Sequence, residues 1–118
     1  MATSAAELIK IPVDGTDGVT ALWQTAARAK ACFILAHGAG AGMRHPFLES
    51  FATQLATLRI ASLRYQFLYI ERGSKRPDPP KLCHTVVRAA CAEARVTLVT
   101  GDTKVVDRGK ADQMFITT

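Results

Sequence analysis

The chain has 118 residues, 48% of them hydrophobic and 21% charged, with a formal net charge of +5. This length and balance predict one globular domain and exclude a disordered or fibrous protein. No apolar run is long enough to span a membrane, and the N-terminal stretch lacks the basic and apolar regions of a signal peptide. Three cysteines without metal-binding spacing are typical of a reducing compartment, so we expect a cytoplasmic protein.

The first elements along the chain are predicted to be strands. Residues 7–13 and 19–23 are rich in apolar and β-branched side chains and flank two Asp-Gly turn signals, which predicts a hairpin. Residues 31–36, ACFILA, are a continuous apolar run of strand length. Such a run predicts a strand buried on both faces.

A helix is predicted to begin at Pro46, because proline suits the first helical turn and Glu49 complements the positive end of the helix dipole. Its apolar residues recur at helical spacing: Phe47, Leu48, Phe51, Leu55 and Leu58. Residues 60–67 predict the next strand, and a charged, Pro-rich loop separates it from a second helix over residues 80–95. Residues 96–100 predict one more short strand.

The element order β-β-β-α-β-α-β predicts an α/β fold, a layered sheet with parallel neighbours and right-handed crossovers. The segments 104–106 and 114–117 predict a short β tail after it. We expect residues 1–118 to fold as a single domain.

The stretch FILAHGAGAGMRHPF, residues 33–47, combines a strand, alternating glycines and a helix start. It is not a Rossmann fingerprint, because Met43 occupies the third glycine slot, and it lacks the Gly-Lys-Ser/Thr ending of a P-loop. Small residues at this position suit an oxyanion loop, in which backbone N–H groups face the reacting acyl group. A tight turn that needs glycine only for its backbone conformation is the alternative.

Residues 5–95 resemble bacterial α/β-hydrolases related to dienelactone hydrolase, a group that includes testis-expressed and chromatin-complex hydrolase-like proteins. The matching motifs are His37-Gly38-Ala39-Gly40, His45-Pro46-Phe47, Arg64-Tyr65-x-Phe67, Glu71-Arg72-Gly73 and Arg76-Pro77-x-Pro79-Pro80. The resemblance implies a truncated α/β-hydrolase-like half over residues 1–95. It also implies a vestigial oxyanion loop at His37, Gly38, Ala39 and Gly40, with the Ala39 and Gly40 amides near the oxyanion position.

The catalytic triad of such a hydrolase is incomplete in this chain. In the family, the next strand leads into a glycine-flanked nucleophilic serine. Here Gly101 precedes Asp102, Thr103 and Lys104, no serine follows Ser74, and the last histidine is His84. We therefore expect a catalytically inactive folding or assembly scaffold. The alternative is a hydrolase of esters or lactones whose missing groups come from a partner chain or an unidentified nucleophile.

Residues 96–118, VTLVTGDTKVVDRGKADQMFITT, resemble a segment of HypE-type hydrogenase-maturation carbamoyl dehydratases, which bind ATP. The resemblance implies Asp102 at a metal and Lys104 near phosphate, although the rest of that ATP site is absent. We interpret the chain as a chimera joined near residue 95, with 96–118 as a grafted β segment, and expect no bound cofactor or metal. An ATP-binding maturation protein is the third hypothesis.

Half of an α/β-hydrolase leaves a sheet edge open, which predicts a homodimer or a domain-swapped oligomer unless the tail caps the edge. The run RYQFLYIERGSKR offers residues that could stack on a nucleic acid strand: Arg64, Tyr65, Phe67, Tyr69 and Arg72. A strand face with solvated charges is the stronger interpretation. We expect no nucleic acid or membrane partner.

Overall fold

The computed structural model describes residues 5–97 as a four-stranded mixed sheet with helices packed on its faces. The strands are β1 (Glu7–Ile11), β2 (Val19–Gln24), β3 (Ala31–Ala36) and β4 (Ile60–Tyr65). The helices are α1 (Pro46–Thr57), α2 (Leu68–Glu71) and α3 (Pro80–Glu93). The strand order β1-β2-β4-β3 confirms the predicted α/β class.

The pairing of the strands follows from the lengths of their connections. β1 and β2 form the predicted antiparallel hairpin, and β2 also pairs antiparallel with β4. β3 and β4 are parallel and are connected through α1. The short link over residues 25–30 is too brief for a helical crossover, so β2 and β3 are not parallel neighbours. Among the strands of residues 5–97, the predicted parallel arrangement therefore holds only for β3 and β4.

Each face of the sheet packs against one long helix. On one face, Leu63 and Tyr65 of β4 share a core with Val86 and Ala90 of α3. On the other face, a smaller cluster joins β3 to α1, and its members are Leu35, Leu48, Phe51 and Ala52. Because consecutive strand residues alternate between faces, Arg64 lies on the α1 side of the sheet between Leu63 and Tyr65.

The prediction that β3 is buried on both faces is wrong. β3 lies at the edge of the described sheet, with β4 as its only strand neighbour within residues 5–97. Ala31, Phe33 and Ala36 are exposed, and only Leu35 is buried. A continuous apolar run shows strand length and hydrophobicity, but it does not distinguish a central strand from an edge strand.

Two element boundaries also differ from the sequence prediction. β4 ends at Tyr65, and the segment predicted as a loop begins with the short helix α2. The backbone N–H of Tyr69 in α2 donates to Asp78 Oδ2 at 3.0 Å, so a side chain from the following loop stabilises the first turn. The predicted strand over residues 96–100 is not formed at 96 and 97, and its remainder lies outside the described residues, as does the β tail.

The core between the sheet and α3 allows a direct test of the fold. Replacing the fully buried Leu63 with Ala leaves a cavity there and should lower the free energy of unfolding by about 2–5 kcal/mol. Leu8, which is 57% exposed on β1, is the matched control, and Leu8→Ala should change this value by no more than about 0.5 kcal/mol. Urea unfolding followed by circular dichroism measures both, and equal losses would contradict this assignment of the core.

Candidate functional site

The loop over residues 37–45 follows β3 at the carboxyl end of the parallel strand pair, where α/β proteins place their sites. It consists of two consecutive turns. The N–H of Ala41 donates to the Gly38 carbonyl at 3.0 Å, and the N–H of His45 donates to the Gly42 carbonyl at 3.4 Å. Gly40 and Gly42 have φ values of 74° and 76°, which a residue with a side chain adopts only with strain.

His37 faces the interior, with 6% of its surface exposed. Its Nδ1 lies 2.7 Å from the Gly38 carbonyl, to which it donates, and its Nε2 accepts the N–H of Phe67 at 3.2 Å. The imidazole also packs edge-on against the Phe67 ring, with the ring centroids 5.1 Å apart. Both ring nitrogens are thus engaged with backbone, so His37 joins the loop after β3 to the segment after β4.

The Gly40 amide, which the hydrolase resemblance places near an oxyanion, has a partner within the chain. Its N–H donates to the hydroxyl of Tyr69 at 2.8 Å, and only 4% of the Tyr69 surface is exposed. Gly38, Ala39 and Gly40 are all exposed, so this hydrogen bond joins an exposed loop to a buried phenol. Sequence reasoning did not find Tyr69 as a member of this site, because no local pattern links residues 29 positions apart.

A second network fixes the start of β2 to α2. Glu71 Oε1 accepts hydrogen bonds from the backbone N–H and the hydroxyl of Thr20 and from the Gln66 amide. Burial by itself raises the pKa of the Glu71 carboxyl, but these hydrogen bonds, with the nearby charge of Lys10, outweigh burial and lower the pKa. Glu71 is therefore held as a structural carboxylate.

Arg64 is the largest fully buried side chain of the described structure, with 1% of its surface exposed. Its guanidinium donates to the Met43 carbonyl and to Gln24 Oε1, each at 3.4 Å, while its Nε and the neighbouring Ser62 hydroxyl have no partner within residues 5–97. Burial lowers the pKa of Arg64, an effect that Glu49 opposes and Arg44 reinforces. Arg64 thus ties β4 and β2 to the end of the 37–45 loop.

The burial of Arg64 also bears on whether the run RYQFLYIERGSKR, residues 64–76, could stack on nucleic acid bases. Tyr65 and Tyr69 are 2% and 4% exposed, and Phe67 is half-buried against His37. Of the five candidate residues, Arg72 alone is exposed. The run therefore offers no surface on which successive bases could stack.

The groups that could act as nucleophiles are not arranged as a catalytic pair. In the described residues, no serine or cysteine is hydrogen-bonded to a histidine. Burial raises the pKa of the Cys32 thiol, and burial together with Asp78 raises that of Cys83. Burial, with smaller contributions from Cys91 and Cys83, raises the pKa of Tyr65 to about 12, so its phenol is protonated at neutral pH.

The two other histidines are likewise not hydrogen-bonded to a serine or cysteine of the described residues. His45 caps α1 by accepting the Phe47 N–H at Nδ1, and His84 is exposed on α3. Asp102 and Lys104, assigned to cofactor binding by resemblance, lie outside the described residues. Within residues 5–97, His, Cys, Asp and Glu side chains form no group of three that could hold a metal ion. None of the helices described there has the length and hydropathy needed to cross a membrane.

The lowered pKa of Glu71 predicts a specific pH dependence of stability. A carboxyl whose pKa is lowered by folding stabilises the fold above its unfolded value of 4.5, and this contribution disappears as the pH falls through the folded value. Glu71→Gln removes this titrating carboxyl. The free energy of unfolding should therefore fall less steeply in this variant as the pH is lowered below 4.5, as measured by urea titrations at several pH values. Exposed Glu7 is the control, and an equal flattening in Glu7→Gln would contradict the assignment.

Comparison with known proteins gives two kinds of match. Residues 29–111 match a family described as an alpha/beta hydrolase domain. Carbamoyl dehydratase HypE of Bradyrhizobium diazoefficiens is 53% identical over 49 residues, and a hydrogenase expression/formation protein, HupE, of Azotobacter chroococcum is 49% identical over the same length. Each of these alignments covers 42% of this chain and 14% of the relative, so the chain spans about one seventh of the curated proteins it matches.

The two similarities share part of the chain. Outside residues 29–111, only 28 residues precede the family match and seven follow it, so an uninterrupted stretch of 49 residues has to enter it. The family match covers well over half of the chain and includes β3, α1, β4, α2 and α3. The layered arrangement of these elements agrees with it. The chain therefore belongs to the alpha/beta hydrolase domain family.

Proposed function

We propose that this protein is a scaffold derived from the dienelactone-hydrolase-related group of α/β-hydrolases and that it does not hydrolyse esters. The observation that carries this proposal is the hydrogen bond from the Gly40 N–H to the Tyr69 hydroxyl. An oxyanion hole requires N–H donors directed at the position where negative charge develops. A donor already bonded to a buried phenol is not free for that task.

The engagement of His37 supports the same proposal. A general base needs a ring nitrogen within hydrogen-bonding reach of the nucleophile's proton. Both nitrogens of His37 serve backbone groups, while His45 caps a helix. Without a nucleophile and base, a remaining oxyanion hole gives only a small part of the rate acceleration of a hydrolase.

The chimeric origin is also part of this proposal. If the HypE-like similarity includes residues 96–118, an uninterrupted stretch of 49 residues reaches back to about residue 70. That start lies within α2, so α3 belongs to both similarities. A joint near α2 is therefore more consistent with the length of this similarity than the joint near residue 95 expected from the sequence.

Ester hydrolysis tests the proposal. We expect the full chain to hydrolyse nitrophenyl acetate no faster than buffer, with no labelling by a fluorophosphonate probe. Tyr69→Phe frees the Gly40 N–H and keeps the ring; it should lower the free energy of unfolding by about 0.5–1.5 kcal/mol and leave hydrolysis at background. Tyr65→Phe is the matched control for removing a hydroxyl from a buried ring.

A second candidate function is hydrolysis of esters or lactones, favoured by the family match. Saturable hydrolysis by the full chain that is lost in His37→Gln and retained in His45→Gln would support this candidate and contradict the scaffold proposal. The two substitutions compare the buried histidine of the loop with the exposed helix cap.

A third candidate, binding of ATP with Mg²⁺, depends on the HypE-like similarity and on Asp102 and Lys104. Carboxylates hold Mg²⁺, and a lysine ammonium pairs with phosphate. Calorimetric titration with Mg-ATP should show no binding under the scaffold proposal. Binding that disappears in Asp102→Ala but persists in Asp112→Ala would favour the ATP candidate instead.

A further inference from the structure

We propose that His37 is a pH-sensitive switch, and that protonation of its imidazole releases the 37–45 loop from the segment after β4, residues 66–71. This property goes beyond the scaffold role proposed above and does not depend on it. Three observations carry it: the direction of the two hydrogen bonds of His37, its burial, and the side chains that surround it.

The two partners of His37 fix the form of its imidazole. A carbonyl oxygen can only accept a hydrogen bond, so Nδ1, which lies 2.7 Å from the Gly38 carbonyl, carries a proton. A backbone N–H can only donate, so Nε2, which lies 3.2 Å from the Phe67 nitrogen, carries none. The observed contacts therefore require the neutral imidazole with its proton on Nδ1.

Protonation is incompatible with the contact to Phe67, because both nitrogens of an imidazolium are donors. The new proton on Nε2 would point at the Phe67 N–H, so repulsion replaces attraction and the amide loses its acceptor. Histidine is the side chain whose ordinary titration range lies just below neutral pH, at about pH 6.5. The closed contact and a charged His37 thus exclude each other, and acidification favours the open loop.

The surroundings of His37 provide no bonded counter-charge for an imidazolium. The titratable side chain that faces it is Tyr69, with the two ring centroids 6.0 Å apart. In the described residues, none of the other titratable groups on the neighbouring elements is hydrogen-bonded to His37: Arg44 and His45 on the loop, Arg64 and Tyr65 on β4, and Glu71 and Asp78 on and after α2. A buried charge without a partner is strongly unfavourable, so the charged ring has to reach water.

The release of His37 affects the whole first half of the loop. The other bond between these segments runs from the Gly40 N–H to the Tyr69 hydroxyl, two residues after Phe67. The remaining side-chain bonds that hold the loop to the sheet side involve Met43 and are long, 3.5 Å to Gln66 and 3.4 Å to Arg64. Displacement of Phe67 therefore also weakens the Tyr69 contact, and the state with a free Gly40 N–H is the acidic one.

NMR of the full chain between about pH 7.5 and about pH 5 tests the proposal, because it follows the ring nitrogens of His37 and single amides together. After correction for intrinsic exchange, the protection of the Phe67 and Gly40 amides should fall by up to about tenfold per pH unit, since opening takes up one proton. The Leu63 amide in the central strand β4 should keep its protection. Glu71 stays ionised over this range, because its pKa lies below 4.5.

Two substitutions separate His37 from the other histidine of the loop. His37→Gln provides a side-chain oxygen that accepts a backbone N–H and does not titrate, so the pH dependence of the Phe67 and Gly40 amides should disappear. His45→Gln is the matched control and should retain it. His45 also accepts a backbone N–H, that of Phe47 at Nδ1, but it is exposed.

Three results would overturn the proposal. The first is protection of the Phe67 and Gly40 amides that does not change over this pH range, whether or not the ring becomes protonated. The second is an equal loss at Leu63, which would mean that the whole fold responds rather than the loop. The third is an unchanged pH dependence in folded His37→Gln. If this variant does not fold, the first two measurements on the unmodified chain decide, and neither depends on ester hydrolysis.

Discussion

Two hydrogen bonds that run in opposite directions join the segments after the parallel strands. The segment after β4 donates the Phe67 N–H to His37, and the loop after β3 donates the Gly40 N–H to Tyr69. Both acceptors belong to buried side chains, so breaking either bond lowers the stability of this contact. This double contact fixes a glycine-containing loop that is otherwise held by its two turns and by Gln66 and Arg64. In a hydrolase the same region would need its donors free, so stability and catalysis compete for these atoms.

Much of the fold could be predicted from the sequence because it depends on local signals. The start of α1 at Pro46 and the hairpin between β1 and β2 follow from proline geometry and Asp-Gly turns. α2 could not be predicted, since four residues show no periodicity and Asp78 stabilises them from outside the helix. The bond between Gly40 and Tyr69 depends on the same helix. His37 was identified as a site residue, but its inward orientation is a tertiary property.

The exposure of β3 depends on information that a single strand does not contain. Its six residues suit the centre of a parallel sheet as well as an edge, and only the strand order decides between them. The family match begins just before β3 and continues beyond the described residues, so β3 lies within the hydrolase-like part of the chain. The charged hairpin strand β1 precedes that part and forms the opposite edge.

The buried guanidinium of Arg64 has a consequence for how β4 selects its alignment. In the observed pairing it lies opposite Leu22 and Leu35 and reaches two oxygen acceptors on the α1 side. Shifting β4 by one residue would turn this charge toward the α3 side, where the core is built almost entirely from apolar side chains. A desolvated charge without acceptors is far more unfavourable than one with two long hydrogen bonds. Arg64 thus penalises the misaligned sheet more than the native one and favours a single strand register.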